Sequence, residues 1–480
     1  MFGRRELDSM FYPRSVAVVG VSANPQGWGG HSFITQLRKV GFPGGIYPVN
    51  PKATEIQGIK AYPSVKSIPE PVDLVIVSVP APRVPEVLED CIAASVKNVH
   101  IFSSGFSETR EEEGRQLEAR ITEIIQRGGL RVVGPNCMGL YVPASKLTAW
   151  GAPPAGSGHV AFLSQSGGHG EMLIRYAQGL GIYFSKVISF GNARGLQALD
   201  FLEYLAEDPD TRSITVYLEG LKDGNKVARL IKEINRTKPV IVWKGGLTES
   251  GARAVASHTA SMAGEERIWE AFFAQTGAVR VNSLEEIADV VMLFLHLSPL
   301  RGRRTLLLGG GGGNSVAMAD ICSRDGLEVP PLSDNTRKQL AEFIPLAGNS
   351  IRNPLDVWLA QDTVELLRRC VEIAVADPVI DLVIVDRHAG EDDDDRPDRE
   401  ERQRQVNDFI TDFAKNNPFN KPVVVAMNTL NHDPNNTAMT AKLRVQFALA
   451  GVPAYASQAN ATRALARFIR YHEFQTQNQD

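Results

Sequence analysis

The sequence predicts an α/β protein made of consecutive open, parallel, doubly wound sheets, and three observations lead there. Short β-branched apolar runs alternate with helical stretches at the start of the chain. A strand, a glycine-containing loop and a helix then recur as a unit further on. The length of 480 residues exceeds what one hydrophobic core fills, so about three domains is the natural division.

The first stretch carries strand signals at Ser15–Gly20, Gly45–Val49, Leu74–Val79, Asn98–Phe102 and Leu130–Val133, with a helix around Ser32–Val40. Strands this short, separated by helices, form a parallel sheet with ligands at the C-terminal strand ends. Pro153–Gly158 (PPAGSG) reads as a loop and the first boundary. After it, Val160–Leu163 leads into SQSGGHG and a helix, and Thr305–Leu308 leads into GGGGGNS and a helix. DPDTRSITVYLEG with KPVIVWKGG is echoed by DPVIDLVIVDRHAG with KPVVVAMN. The expected domains are therefore 1–145, 157–300 and 301–470, the last boundary falling at SPLRGRR. The acidic run Glu391–Arg402 is expected to be a solvated loop and helix start.

Composition narrows the function classes. A net charge of −4 leaves no electrostatic footprint for nucleic acid or an anionic membrane. No apolar run approaches the ~20 residues a spanning helix needs, and the N-terminus shows no signal-peptide core. Cys91, Cys137, Cys322 and Cys370 are scattered without a CxxC pair. That argues for a reducing, cytoplasmic setting with neither zinc site nor disulfide framework.

Four motifs carry chemistry. After the first strand, VVGVSANPQGWGG lets backbone amides and a helix N-terminus approach a phosphate, unless its glycines serve only tight turns. It misses the dinucleotide fingerprint, since Val21 and Ser22 follow Gly20. The second strand ends in Asn50, Pro51 and Lys52 rather than an acid. A lysine there suits a phosphate where an acid would bind a ribose hydroxyl, which disfavours NAD and favours a phosphorylated nucleotide such as CoA. Ser164–Gly168 (SQSGG) opens a helix and offers hydroxyls and free amides to an anion. His258 sits in TESGARAVASHTASMAG among small residues, read here as a loop. Imidazole can carry a phosphoryl group; the alternative is a satisfied loop histidine. Glu219 ends the strand ITVYLEG, where a carboxylate could fix an imidazole's tautomer or simply decorate the surface.

In chain order, VVGVSANP, YPVNPK with Gly58, SSGFSE, GPNCMG, SQSGG, SFGN, YLEG, SHTASMAG, GGGGGNSVAMAD and NPLDV resemble the ADP- or GDP-forming acyl-CoA synthetases related to succinyl-CoA synthetase. The resemblance covers nearly the whole chain. It implies an N-terminal Rossmann-like CoA-binding domain followed by two flavodoxin-like, succinyl-CoA synthetase-type domains. It assigns CoA contacts to Gly20, Ser22, Lys52, Val79, Pro80 and Asn136, the phosphorylated histidine to His258 and its supporting carboxylate to Glu219. Phosphate would be held at Ser164, Ser166 and Gly167 and at a second helix start near Asp362 and Thr363. Three departures bear on the acid substrate: Ala193–Arg194–Gly195 after SFGN, Trp358 after NPLDV, and SHTASMAG where SHTGALAG is commoner.

The reaction implied is acid + CoA + NTP giving acyl-CoA, NDP and phosphate, an acid–thiol ligase of class EC 6.2.1. None of the three units resembles an ATP-grasp domain. ATP (or GTP) and Mg2+ would therefore be held by an ATP-grasp beta subunit, in a heteromer such as an α2β2 heterotetramer. Competing readings are a pyridine-nucleotide oxidoreductase, a non-catalytic CoA-binding subunit, and an acyl- or carbamoyl-transferase relative of the same fold.

Overall fold

The computed structural model describes residues 4–22, 29–151, 156–259, 266–300, 302–309, 311–357, 364–388, 398–428 and 434–477. The chain divides into two compact units, one of Met1–Gln178 with Ile182–Ile287 and the other of Gly179–Gly181 with Ala288–Asp480.

The first unit holds two sheets. The first comprises β1 (Ser15–Val19), β2 (Gly45–Val49), β5 (Leu74–Val77), β6 (Asn98–Ile101) and β7 (Arg131–Val133), all parallel, in the order β2-β1-β5-β6-β7. A small hairpin of β3 (Glu55–Ile56) and β4 (Ile59–Lys60) follows β2. Every residue of β1, β5 and β6 is buried, as expected of strands covered by helices on both faces. The helix Gly30–Lys39 turns Phe33, Ile34 and Leu37 inward and ends at Val40, because Gly41 follows at φ +70°. Val75, Val77, Val99, Ile101, Leu88 and Ile121 form the sheet's core, each buried side chain contributing roughly 1.5–3 kcal/mol.

The second sheet comprises β8 (Gly139–Val142), β9 (Leu147–Thr148), β10 (Val160–Ser164), β11 (Phe184–Ser189), β12 (Ser213–Leu218), β13 (Val240–Lys244) and β14 (Val279–Val281). Its order is β14-β13-β12-β10-β11-β8-β9. The sheet thus reaches back past the expected boundary at 153–158 to Gly139, with β8 and β9 antiparallel at its edge. The N-terminal helix Arg4–Phe11, not foreseen from the sequence, is bonded to the same region: Tyr204 donates to Asp8 at 2.8 Å. Its neighbour Tyr12 accepts from the buried Lys186 at 3.0 Å, and Lys186 pairs with Asp208 at 2.7 Å.

In the second unit the sheet comprises β15 (Thr305–Leu308), β16 (Ser350–Ile351), β17 (Leu355–Asp356), β18 (Leu382–Arg387), β19 (Val423–Met427) and β20 (Ala454–Tyr455), ordered β16-β17-β15-β18-β19-β20. Of the acidic run, residues 391–397 lie outside the described residues, and the helix Arg399–Asn416 follows them. Among the described residues no helix is long and apolar enough to cross a membrane. All four cysteines are free and buried.

Candidate functional site

In an open parallel sheet the place to look is the C-terminal edge where the connections change direction. In the first sheet that point lies between β1 and β5, and it is hollow. A cavity of about 690 Å³ is lined there by the residues following β1, β2 and β5. It brings together Gly20, Ser22, Lys52, Val79 and Pro80, all expected from the sequence. Asn136 lies outside this lining; it holds φ +57° and donates from Nδ2 to Asn192 Oδ1 at 3.4 Å.

The loop geometry explains the glycine. Gly20 has φ +89°, and a Cβ on it would stand 2.1 Å from the Ser78 carbonyl oxygen. No other residue lets the loop after β1 lie this close to the end of β5. Asn50 shapes the opposite wall: its Nδ2 donates to Val21 O at 2.7 Å, and its Oδ1 accepts from Lys52 N at 2.8 Å and Ala53 N at 3.1 Å. That turn, more than the chain trace of β2, is what carries Lys52 to the cavity rim. Sequence reading missed Lys66 and Arg83, two further cations on the wall. They lie in the short turns Val65–Ser67 and Ala81–Arg83 rather than at strand ends, so no motif flagged them. The same wall carries Glu86, Glu89 and Asp90, and Lys66 pairs with Asp90 at 3.4 Å. Lys52, Arg83 and the close backbone approach at Gly20 suit a phosphorylated ligand.

In the second sheet the corresponding point lies between β10 and β12. Ser164 Oγ donates to Ser166 O at 2.7 Å and accepts from Ser166 N at 3.1 Å. Ser166 Oγ in turn accepts from His169 N at 3.4 Å, a capping contact on the helix Gly167–Gln178. Gly167 lies against Met138, where a Cβ would come within 2.6 Å of the side chain. Glu219, the residue after β12, is 5% exposed, which removes the surface-decoration reading. Its Oε1 accepts from the Tyr217 hydroxyl at 3.2 Å. Its backbone N–H, with that of Gly220, is bound by Gln165 Oε1. Gln165 is a site residue that the motif SQSGG contained but that sequence reasoning passed over.

Behind Glu219, Lys244 Nζ donates to its carbonyl oxygen at 3.0 Å. Burial holds the Lys244 ammonium below the usual lysine range, and the Glu219 carboxylate partly restores it. Burial, then the charge and hydrogen bond of Glu219, pushes the Tyr217 hydroxyl up. His169 packs against Tyr217 and Trp243, with ring centroids 4.4 and 4.7 Å away.

His258 belongs to the helix Glu249–Thr259, which corrects the expected loop. Its run of alanines favours helix, and Arg253 bridges to Glu249 one turn back at 2.6 Å. The His258 side chain, and Trp358, Asp362 and Thr363, lie outside the described residues. The helix packs beside the Ser107–Thr109 turn of the SSGFSE motif. SFGN and GPNCMG meet at the same place: Asn192 N donates to Pro135 O at 3.0 Å. The fold thus brings SFGN against GPNCMG, and SQSGG against GPNCMG through Gly167 and Met138.

Comparisons with known proteins agree with this architecture. Residues 14–143 match the model of a CoA binding domain, and residues 157–294 that of a succinyl-CoA ligase like flavodoxin domain. The chain is 38% identical to the acetate–CoA ligase (ADP-forming) II subunit alpha of Pyrococcus furiosus, over 79% of this chain and 81% of that subunit. It is likewise 38% identical to the acetate–CoA ligase (ADP-forming) I of Archaeoglobus fulgidus, spanning about half of that protein (54%). A dinucleotide forming acetyl-coenzyme A synthetase 1 of Ca. Korarchaeum cryptofilum, solved with phosphate and ADP, superposes with a TM-score of 0.82. It is 30% identical, with 98% of this chain and 97% of that one covered. The chain belongs to the family of ADP-forming acyl-CoA ligases.

Proposed function

We propose that the chain is the CoA-binding, phosphohistidine-carrying alpha subunit of an acid–CoA ligase, working with a separate ATP-grasp beta subunit. CoA, a substrate, would lie in the first-sheet cavity with its phosphates toward Gly20, Ser22 and Lys52, flanked by Val79 and Pro80. Asn136 would reach it from the neighbouring turn. The observation that carries the reading is a buried glutamate at the second sheet's switch point, with a phosphate-type helix start on the adjoining strand.

In the forward direction His258 takes the phosphoryl group that leaves the nucleotide. A carboxylate oxygen of the acid then attacks that phosphorus, the P–N bond breaks, and an acyl phosphate forms. The CoA thiolate attacks the acyl carbon, and inorganic phosphate departs. Glu219 would accept the imidazole N–H, fixing the tautomer and stabilising the charged ring. Ser164, Ser166 and Gly167 would hold the phosphate in transit, with Asp362 and Thr363 as the opposing helix start. ATP (or GTP) with Mg2+ belongs to the beta subunit in this scheme, in a cytoplasmic α2β2-type assembly. The match to a relative named as a subunit alpha supports the division.

The test is phosphoryl labelling. The chain, purified with its partner and given γ-labelled nucleotide, should acquire base-stable, acid-labile label that His258→Ala abolishes. Label that resists acid, or that persists in the variant, overturns the assignment.

A further inference from the structure

Between the first two sheets lies a polar clasp that the scheme above leaves unused. Asn192, at the end of SFGN, donates from Nδ2 to Glu108 Oε2 at 2.6 Å and to Glu118 Oε2 at 2.9 Å. Both glutamates belong to the CoA-binding region, Asn192 to the histidine-carrying one. Each glutamate is itself fixed. Glu108 Oε1 accepts from Gly105 N at 2.6 Å and Phe106 N at 3.1 Å, closing the SSGF turn on itself. Glu118 is buried, accepts from Ser107 N at 3.4 Å, and pairs with Arg194 at 2.6 Å.

The backbone allows no slack on the other side. Gly191 has φ +50°, and a Cβ there would lie 2.3 Å from the carbonyl oxygens of Pro135 and Asn136. Burial holds the ammonium of Lys222, three residues past Glu219, below the usual range; Arg194 adds to this and Glu118 opposes it. Two carboxylates thus face one amide and one guanidinium across the seam. An amide with two N–H groups is the side chain that can satisfy both acids at once without adding charge. The clasp also holds the SSGF turn, and the helix containing His258 packs on the Ser107–Thr109 turn beside it.

We propose that Asn192 is a positioning residue for acyl transfer. By tying Glu108 and Glu118 to the loop after β11, it sets the register between the CoA cavity and the histidine-carrying sheet. This rests on the proposed function. It predicts that loosening the clasp slows the step joining the two regions and spares the steps within each. A misplacement of about 1 Å at such a seam can cost on the order of 100-fold in rate.

Asn192→Asp keeps the shape and adds a third carboxylate against Glu108 and Glu118. In the complex with the partner, the variant should still bind CoA to within about threefold by calorimetry and still acquire label at His258. Its kcat for acyl-CoA formation should fall at least tenfold with KM for CoA little changed. Asn192→Ala, which removes the bonds without repulsion, should show a smaller deficit; it also carries the test if the aspartate variant does not fold. Wild-type turnover in both variants overturns the proposal. So does equal loss of CoA binding, labelling and turnover, which marks a merely structural residue. Absence of label in the wild-type complex would instead overturn the histidine assignment itself, so the two failures are distinguishable.

Discussion

Where the strands of the second and third sheets begin, Lys238 donates to the carbonyl oxygens of Leu205 and Asp208 at 2.8 and 2.6 Å. Lys421 does the same for Val375 and Asp377, both at 2.7 Å. Each lysine precedes a proline and a valine that opens a strand, β13 or β19, and each ties down the end of the helix that leads into the strand before it, Ala198–Glu207 or Val364–Ala376. At the opposite edge the two sheets part. The second has Glu219 after its strand, buried and bonded to Tyr217. The third has His388 there, with Asp386 and a buried Arg387 on the strand. Arg387 turns to Asn407 at 2.9 Å and to Gln403. The two repeats thus share this lysine clamp at the strand starts, while the ligand edge differs. Framework bonds answer to stability, which both copies share, whereas strand-end side chains answer to chemistry, which one copy suffices to perform.

The sharpest way to break this comparison is at Glu219. Glu219→Gln keeps the bond from Tyr217 but removes the charge that would orient and stabilise an imidazolium. Turnover of the complex should drop by roughly 100-fold or more, in line with loss of a base-orienting carboxylate. CoA affinity should stay put, because the cavity of the first sheet does not include this residue. Unchanged turnover would return Glu219 to the framework.

A smaller effect should appear in the third sheet as a dependence on pH. Burial pushes Asp386 up to about 6, offset in part by a hydrogen bond from Asn428 and the charge of Arg387. A carboxyl whose folded pKa is raised binds its proton more tightly when folded. Its favourable contribution is present below the unfolded value near 3.8 and is lost as pH rises through about 6. Asp386→Asn should therefore leave stability unchanged near pH 4 and raise it by about 1–3 kcal/mol at pH 8. Hydrogen exchange of the β18 amides at the two pH values reads this directly. A gain independent of pH would show that packing, and not ionisation, sets the difference.

Much of this is legible in the sequence, and the reasons are physical. Runs such as SVAVVG, GIYPV and LVIVSV read as strands, so the strand ends, and with them Gly20, Lys52 and Val79, follow directly. Glu219 is legible as a strand end but not as buried, since burial depends on Gln165 and Lys244 arriving from other strands. The clasp is opaque for the same reason. Glu118 lies on the charge-rich helix Glu112–Gly128, and its partners Asn192 and Arg194 arrive from the loop after β11. The alanine-rich sequence around His258 suggests a loop by its small size, although the same alanines favour helix.

The smallest effect separates the two glycine-rich turns. In the second sheet Gly167 and Gly170 are packed: a Cβ at Gly170 would meet the Trp150 ring at 2.4 Å. Gly170→Ala should cost about 1–3 kcal/mol, the usual penalty for overfilling a packed site. In the third sheet Gly312 and Gly313 open the helix Gly311–Arg324, and a Cβ on either would meet nothing within 4 Å. Neither has the positive φ that Gly311 shows at +65°, so alanine fits both the space and the backbone. Gly312→Ala should then stabilise the chain by a few tenths to ~1 kcal/mol, through lower unfolded-state entropy and better helix propensity. Urea unfolding of the two variants beside the parent should show shifts of opposite sign. Like signs would mean that the turns are packed alike, and that the repeats resemble one another at the ligand edge as closely as they do at the lysines.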